Sequence, residues 1–248
     1  AATFELAFLA VILAMVIGIP LGKFSAHYRD KLPDVMIRLF AIASYATPVF
    51  FLGLLLKLIF SVWLPILPSN GRVSTFYESD LQAVAFPTGF NLIDSIQTGN
   101  MTIIVDVLSH AILPALALGL LTAATFIRLI RTNLISTLST DYVFAARSRG
   151  ISDKRIINKH AWKPALMPII TVMGMNIAMM LAGAILTETT FEWKGLGYQL
   201  SQLIKARDFN AVQGIVILIA IIVSVTNFIV DILAAAIDPR VRQSGEDV

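Results

Sequence analysis

The chain has 248 residues, of which 57% are apolar and only 14% charged; its net charge is +3 and its mean hydropathy +0.79. Soluble domains carry roughly 25% charged residues, and a water-soluble chain of this length could not hide so much apolar side chain. The lack of Cys excludes disulfides, thiolate metal sites and a Cys nucleophile, and His27, His110 and His160 show no ligand spacing, so no metal site is expected.

Spanning a bilayer as a helix takes about 20 predominantly apolar residues. In chain order, five stretches meet that requirement. The first covers about residues 3–22, uncharged from Leu6 to Gly22, and a short basic connection, Lys23 to Asp34, follows. The second covers 35–63, with Arg38 and Lys57 near its ends, and Lys57 is expected to snorkel to the headgroups. A long segment rich in Pro, Gly, Ser and Asn leads to the third span, 107–127, with Asp106 at the interface. A strongly basic stretch, 128–163, separates it from the fourth, 164–187. After the mixed Glu188–Asp208 segment comes the fifth, 209–236, with Asp231 near its end. The expected fold is therefore an all-α polytopic membrane protein, one transmembrane domain over 1–242 with a tail at 243–248. Transmembrane β-strands would read as short alternating segments, which these are not.

Orientation follows the Lys and Arg counts. Segments 23–38, 128–163 and 231–248 hold 14 of the 19 basic residues, leaving Lys57, Arg72, Lys194, Lys205 and Arg207 on the other side. The basic side is expected to be cytoplasmic, with the N-terminus outside and the C-terminus inside. A span that begins at once from an outside N-terminus suggests a further helix upstream of Ala1. Within the fourth span, Ala178, Ala182, Gly183 and Ala184 suit either close approach by another helix or packing within the chain.

The basic stretch has internal structure. Ser139 or Thr140 can cap a helix running through Tyr142 to Arg149, and Gly150 can end it as a C′ residue. Ser152 can cap a second helix, Asp153 to His160. Tyr142, Ala145 and Ala146 are expected on one face as a small apolar knob, with Arg147 and Arg149 at its end. Such a helix–Gly–helix suits either docking to a soluble partner or lying flat on anionic lipid.

Phe144-Ala145-Ala146-Arg147-Ser148-Arg149-Gly150 resembles the conserved cytoplasmic loop of ABC-transporter permeases, whose pattern is Glu-Ala-Ala, three residues, Gly. Phe144 replaces the Glu, and His160-Ala161-Trp162-Lys163 stands where the general family has Ile-x-Leu-Pro. Both departures fit the dipeptide/oligopeptide importer branch, which has Ala-Arg-Ala-Lys-Gly near Ala146–Gly150 and His-Ala ahead of Ala165-Leu166-Met167-Pro168. Leu113 to Gly119, Thr187 to Gly197, Arg207-Asp208-Phe209, Val212-Gln213-Gly214 and Asp238-Pro239-Arg240 extend the resemblance over nearly the whole chain. Nickel-importing permeases share most of these motifs, so the resemblance leaves peptide and nickel both open as cargo.

The resemblance implies a type I ABC importer permease core, half of a translocation pathway in a prokaryotic plasma membrane. It implies a second homologous permease, two ATP-binding subunits that hold ATP and Mg, and an extracytoplasmic substrate-binding protein; nucleic acid is not a partner. It assigns ATPase coupling to Asp141, Ala145, Ala146, Arg147, Arg149 and Gly150, and family subunits carry one span more than the five found here. Tyr45, Thr47, Pro48 and Asn176 are candidate pathway-lining residues. No enzymatic activity is expected, since the chain has no Gly-x-x-x-x-Gly-Lys-Ser/Thr phosphate loop and no cofactor motif. Two rival classes fit the sequence less well. An ion-coupled carrier needs a carboxylate near midplane, which none of the spans supplies; a membrane enzyme would have only the Glu188, Glu192 and Lys194 cluster to work with.

Overall fold

The structure, a computed structural model, describes residues 1–152, 155–162, 164–165, 180 and 184–237. The described residues form helices α1 (Ala2–His27), α2 (Leu32–Ala46), α3 (Val49–Lys57), α4 (Glu78–Gln82), α5 (Asn91–Thr98), α6 (Met101–Leu138), α7 (Asp141–Ser148), α8 (Ile185–Thr190), α9 (Leu196–Lys205) and α10 (Phe209–Ile237). Among them α1, α6 and α10 are long and apolar enough to cross a membrane, with α2 and α3 a fourth if the broken pair crosses as one. Most of the expected fourth span lies outside the described residues.

The expected single span over 35–63 is interrupted. α2 stops at Ala46 and α3 restarts at Val49. Pro48 has no N–H to give to a continuing helix, and its ring pushes Thr47 out of the helical region. Pro48 itself sits extended, with φ −56° and ψ 134°, as the residue before α3. A wide π-helical turn, Leu58–Trp63, prolongs α3.

The chain divides into two compact units. One comprises Ala1–Leu13, Thr47–Leu120 and Met179–Val223. Its apolar centre is Leu56, Leu113, Ala117 and Phe191, and Gly53 lies so close to Phe191 that a Cβ there would be 2.9 Å from the ring. A second cluster, Val73, Leu81, Ile103 and Val107, carries the long segment after α3. Polar side chains pin that segment. Asp106 accepts from the Ser74 amide and hydroxyl at 2.8 and 2.6 Å, and Asp94 accepts from the Thr88 amide and hydroxyl and the Gly89 amide. Asp106 is thus an anchor for this segment, which its expected interfacial position did not reveal. Buried Glu5 binds Arg72 and accepts from the Leu92 amide at 2.6 Å, and the Trp193 indole donates to the Ala2 carbonyl at 2.9 Å.

Lys57 is tied to protein acceptors. Its ammonium donates to Asn70 Oδ1 at 2.6 Å and to the Thr190 carbonyl at 2.9 Å, and lies 5.5 Å from the Phe191 ring. These partners, one in the segment after α3 and one at the end of α8, are not legible from length and hydropathy.

The other unit comprises Ala14–Ala46, Leu121–Ala178 and Ser224–Val248. Ala14, Ala123, Phe126 and Ile130 form one buried cluster and Ile37, Ala41, Ala124 and Ile127 another. A third, Ala26, Leu134, Ile157, Ala161 and Ala165, leads to the basic segment.

In both units α1 meets α6 through small residues. Ala10, Ala14, Gly18, Gly22 and Ala26 recur every fourth position of α1 and so lie along one face. A Cβ on Gly18 would meet Phe126 Cβ at 2.8 Å, and one on Gly22 would meet Ile130 Cβ at 2.8 Å. In the first unit, a Cβ on Gly119 of α6 would meet the Ala10 carbonyl oxygen at 2.8 Å. Pro20 and Pro114 sit inside these helices without ending them, as membrane helices tolerate.

Because the atom facing Gly119 is backbone, Gly119→Val is expected to cost about 1–3 kcal/mol by overpacking. The check is a lower thermal-unfolding midpoint in detergent. Gly214→Ala, where nothing lies within 4 Å of the new Cβ, should leave that midpoint unlowered.

Candidate coupling site

Helix α6 runs for 38 residues, about 57 Å at 1.5 Å per residue, well beyond a hydrocarbon core of about 30 Å. Its apolar stretch gives way to Arg128 and Arg131, and α7 follows after only Ser139 and Thr140. Thr140 occupies the N-cap position of α7 in extended conformation, φ −86° and ψ 153°. Its hydroxyl does not cap α7. It donates back to the Thr137 carbonyl at 2.6 Å, and Ser139 Oγ donates to the Ser136 carbonyl at 2.8 Å. These hydroxyls share the Ser136 and Thr137 carbonyls with the Ser139 and Thr140 amides, each 3.2 Å away, at the end of α6. The amides of Val143 and Phe144 are held instead by the Thr140 carbonyl.

The end of α7 is as the sequence suggests. Gly150 has φ +76°, its amide donates to the Arg147 carbonyl at 2.8 Å, and the Ile151 amide donates to the Ala146 carbonyl at 3.3 Å. This is the paired closure of a Schellman motif, with Ile151 folding back on Val143, Ala146 and Ile156 as its apolar contact. Beyond it, the amides of Arg155 and Ile156 turn on the Ser152 carbonyl. The second helix expected over Asp153–His160 is described only from Arg155 and contains a π-helical turn, Ile156–Ala161.

This packing divides the coupling residues differently from the expected knob. Val143 and Ala146, one turn apart, point inward, Ala146 being only 8% exposed. Asp141, Tyr142, Phe144, Ala145, Arg147, Arg149 and Gly150 remain exposed. Ala146 therefore supports the helix from beneath, while Tyr142, Ala145 and Arg149 share the outward face. The cause is Ile156, which competes for the α7 face carrying Val143 and Ala146. Beside α7, Phe144 and Arg147 line a cavity of about 310 Å³ with His27, Arg29 and Leu138.

Three helices meet at Asp34, whose side chain is fully buried. It accepts from Arg131 Nε and Nη2 at 2.7 Å each, from Ser25 Oγ at 2.5 Å and from the Asp30 amide at 2.9 Å. Arg38 stands 3.8 Å away, one turn along α2. A planar guanidinium matches a carboxylate in this bidentate way, and two further donors fill the remaining lone pairs. The end of α1, the start of α2 and the basic end of α6 are thereby joined. Sequence reading missed this site, since Asp34 and Arg131 lie 97 positions apart and no local spacing links them. The available signal was a lone acid at the foot of a span amid many bases.

The candidate pathway residues fall in different places. Tyr45 stands on α2 with its ring 5.4 Å from the Arg128 guanidinium. Thr47 and Pro48 form the break between α2 and α3, and Asn176 lies outside the described residues. Among the described residues, no three His, Asp or Glu side chains converge as metal ligands.

The Glu188 cluster is a structural knot. Glu188 is fully buried and accepts from the Tyr198 amide at 2.9 Å, while a Cβ on Gly195 would fall 2.3 Å from its carboxylate. Burial pushes its carboxyl up, against hydrogen bonds from Thr3 and the Tyr198 and Gly197 amides. Lys194 reaches away to exposed Glu78 at 3.7 Å. Gly195 thus packs directly against the buried acid.

The membrane-length helix α6 thus runs on into a short basic helix that Gly150 closes with a Schellman turn. The family model for the inner membrane component of binding-protein-dependent transport systems matches residues 18–243, and the chain belongs to that family. It is 38% identical over 241 residues to the dipeptide transport system permease protein DppB of Escherichia coli K12, covering 97% of this chain and 70% of that one. It is 39% identical over 244 residues to the probable D,D-dipeptide transport system permease protein DdpB of the same organism, covering 98% and 71%. It is 37% identical over 241 residues to the peptide transport system permease protein SapB of Salmonella typhimurium LT2, covering 96% and 74%. The fold is similar to that in a crystal structure of the MetNI methionine ABC transporter described as inward facing, with TM-score 0.68, 16% identity and 96% and 93% of the two chains covered.

Removing Arg131 leaves the Asp34 charge buried without its main partner, and Arg131→Ala is expected to destabilise the protein by about 3 kcal/mol. In a double-mutant cycle by thermal unfolding, Asp34→Asn with Arg131→Ala should cost clearly less than the two single losses added.

Proposed function

We propose that this chain forms half of the translocation pathway of an ATP-driven importer of dipeptides or oligopeptides. The observation that carries this reading is the match to dipeptide and peptide permeases over nearly the whole chain. Those names favour peptide over nickel as cargo. The proposed assembly has a second homologous permease, two separate ATPase subunits that bind ATP and Mg, and an extracytoplasmic substrate-binding protein. The proposed topology has five spans in this chain, about 3–22, 35–63, 107–127, 164–187 and 209–236, with the basic segments cytoplasmic and the first residues outside. The concentration of Lys and Arg in 23–38, 128–163 and 231–248 supports that orientation.

In this reading α7 is the coupling helix. The exposed Tyr142, Ala145, Arg149 and Gly150 are its contact with an ATPase subunit, Arg147 and Arg149 pair with acids there, and Asp141 complements the positive end of the helix. Ala146 transmits the contact inward through Val143 and Ile156. Movement of the ATPase subunits shifts α7, and α6 carries the shift toward the membrane because the Asp34–Arg131 clasp ties it to α1 and α2. Tyr45, Thr47, Pro48 and Asn176 are proposed to contact cargo, which needs only transient contacts if selection lies in the binding protein.

Among the described residues nothing lies within 4 Å of a Cβ at Gly150, so a side chain there projects from the face proposed for the partner. In the reconstituted complex, Gly150→Leu should reduce ATPase stimulation by the loaded binding protein at least tenfold, with normal amounts of permease in the membrane. Gly150→Asn, which tolerates positive φ, should retain far more. Full transport by Gly150→Leu would show that α7 docks elsewhere or not at all.

A further inference from the structure

A mainly apolar cavity of about 250 Å³ opens between α2 and α6 in the second unit, with three arginines, Arg38, Arg128 and Arg131, on its lining. Its apolar floor is buried Ala41, Ala124 and Ile127, and exposed Ile42 and Tyr45 form part of its wall. The charges do not balance. Arg131 is taken up by Asp34, Arg38 reaches that same carboxylate only at 3.8 Å, and Arg128 is stacked over Tyr45. Among the described residues no carboxylate lies within ion-pair distance of Arg128. Buried Asp34 and exposed Asp30, the latter 3.8 Å from Arg131, thus face three guanidinium groups, which leaves one positive charge in excess, and Arg38 and Arg128 stand exposed.

We propose that this cavity is a binding site for the phosphate headgroup of an anionic phospholipid. Guanidinium groups bind phosphate in a fork, and basic pockets between membrane helices at their Lys/Arg-rich end suit anionic headgroups. The apolar floor continues the site in the direction an acyl chain takes, which a soluble anion would not use. Arg131 holds the clasp and is spared for it, while Arg38 and Arg128 make the lipid contact. A lipid seated here bridges α2 and α6, the same two helices that the clasp joins, and adds to their cohesion at the cytoplasmic end. The site rests on the orientation proposed above, with this end of α2 and α6 cytoplasmic, and it assigns Tyr45 to the lipid in place of the cargo.

The test uses the complete transporter reconstituted in nanodiscs of equal parts phosphatidylglycerol and phosphatidylcholine, then released for native mass spectrometry. The wild-type complex should retain phosphatidylglycerol, and the Arg38→Gln/Arg128→Gln variant at least fivefold less, with phosphatidylcholine retention the same in both. Equal phosphatidylglycerol retention in the two proteins would overturn the proposal. So would an equal loss of both lipids in the variant, which would mean a damaged annulus rather than a lost site. Displacement of phosphatidylglycerol from the wild-type protein by added dipeptide would also overturn it, making the arginines part of the cargo pathway. Stable retention in the presence of dipeptide supports the lipid.

Discussion

Within a bilayer, apolar side chains gain little by leaving lipid for protein, so helices hold together by fitting closely. The small-residue face of α1 answers that constraint here. Ala10, Ala14, Gly18, Gly22 and Ala26 let α6 approach until a single added methyl would collide with Phe126 or Ile130, and Gly119 returns the accommodation against Ala10. That contact places the long helix that runs on to the basic segment. Pro20 and Pro114 lie within these helices, where their lost hydrogen bonds are small beside the packing.

Packing of small residues is not directional about an axis, and buried polar links supply what it lacks. Asp34 gathers Ser25, the Asp30 amide and Arg131, while Glu5 gathers Arg72 and the Leu92 amide. Each is an acid buried with enough donors to offset its desolvation, and each joins segments far apart in the chain. Asp34 takes four donated hydrogen bonds and Glu5 takes one on each oxygen. They work as fasteners, and Lys57 does the same for the Thr190 carbonyl from the cationic side.

The basic segment around α7 shows how far local rules reach. Gly150 at the end of α7 was readable because only a left-handed residue closes a helix this way, and glycine adopts that conformation at no steric cost. The cap at Thr140 was readable as a position but not as a bond. Its hydroxyl had two competing acceptors and donors within reach, and the carbonyls ending α6 won. The inward turn of Ala146 was not readable at all, since it depends on Ile156, which belongs to the next helix.

The sequence by itself determined that this is an all-α membrane protein, where its apolar runs lie, which segments are basic, and which family its motifs resemble. Those properties follow from composition, period and short-range backbone preference, all of which act within a few residues. The break at Pro48 is local too, since the missing N–H and the ring act on adjacent residues. Tertiary structure alone decided that Lys57 binds the Thr190 carbonyl, that Asp34 finds Arg131, and which face of α7 is left exposed. Each of those outcomes is a choice between nearly equivalent local states, and a neighbour distant in sequence makes it.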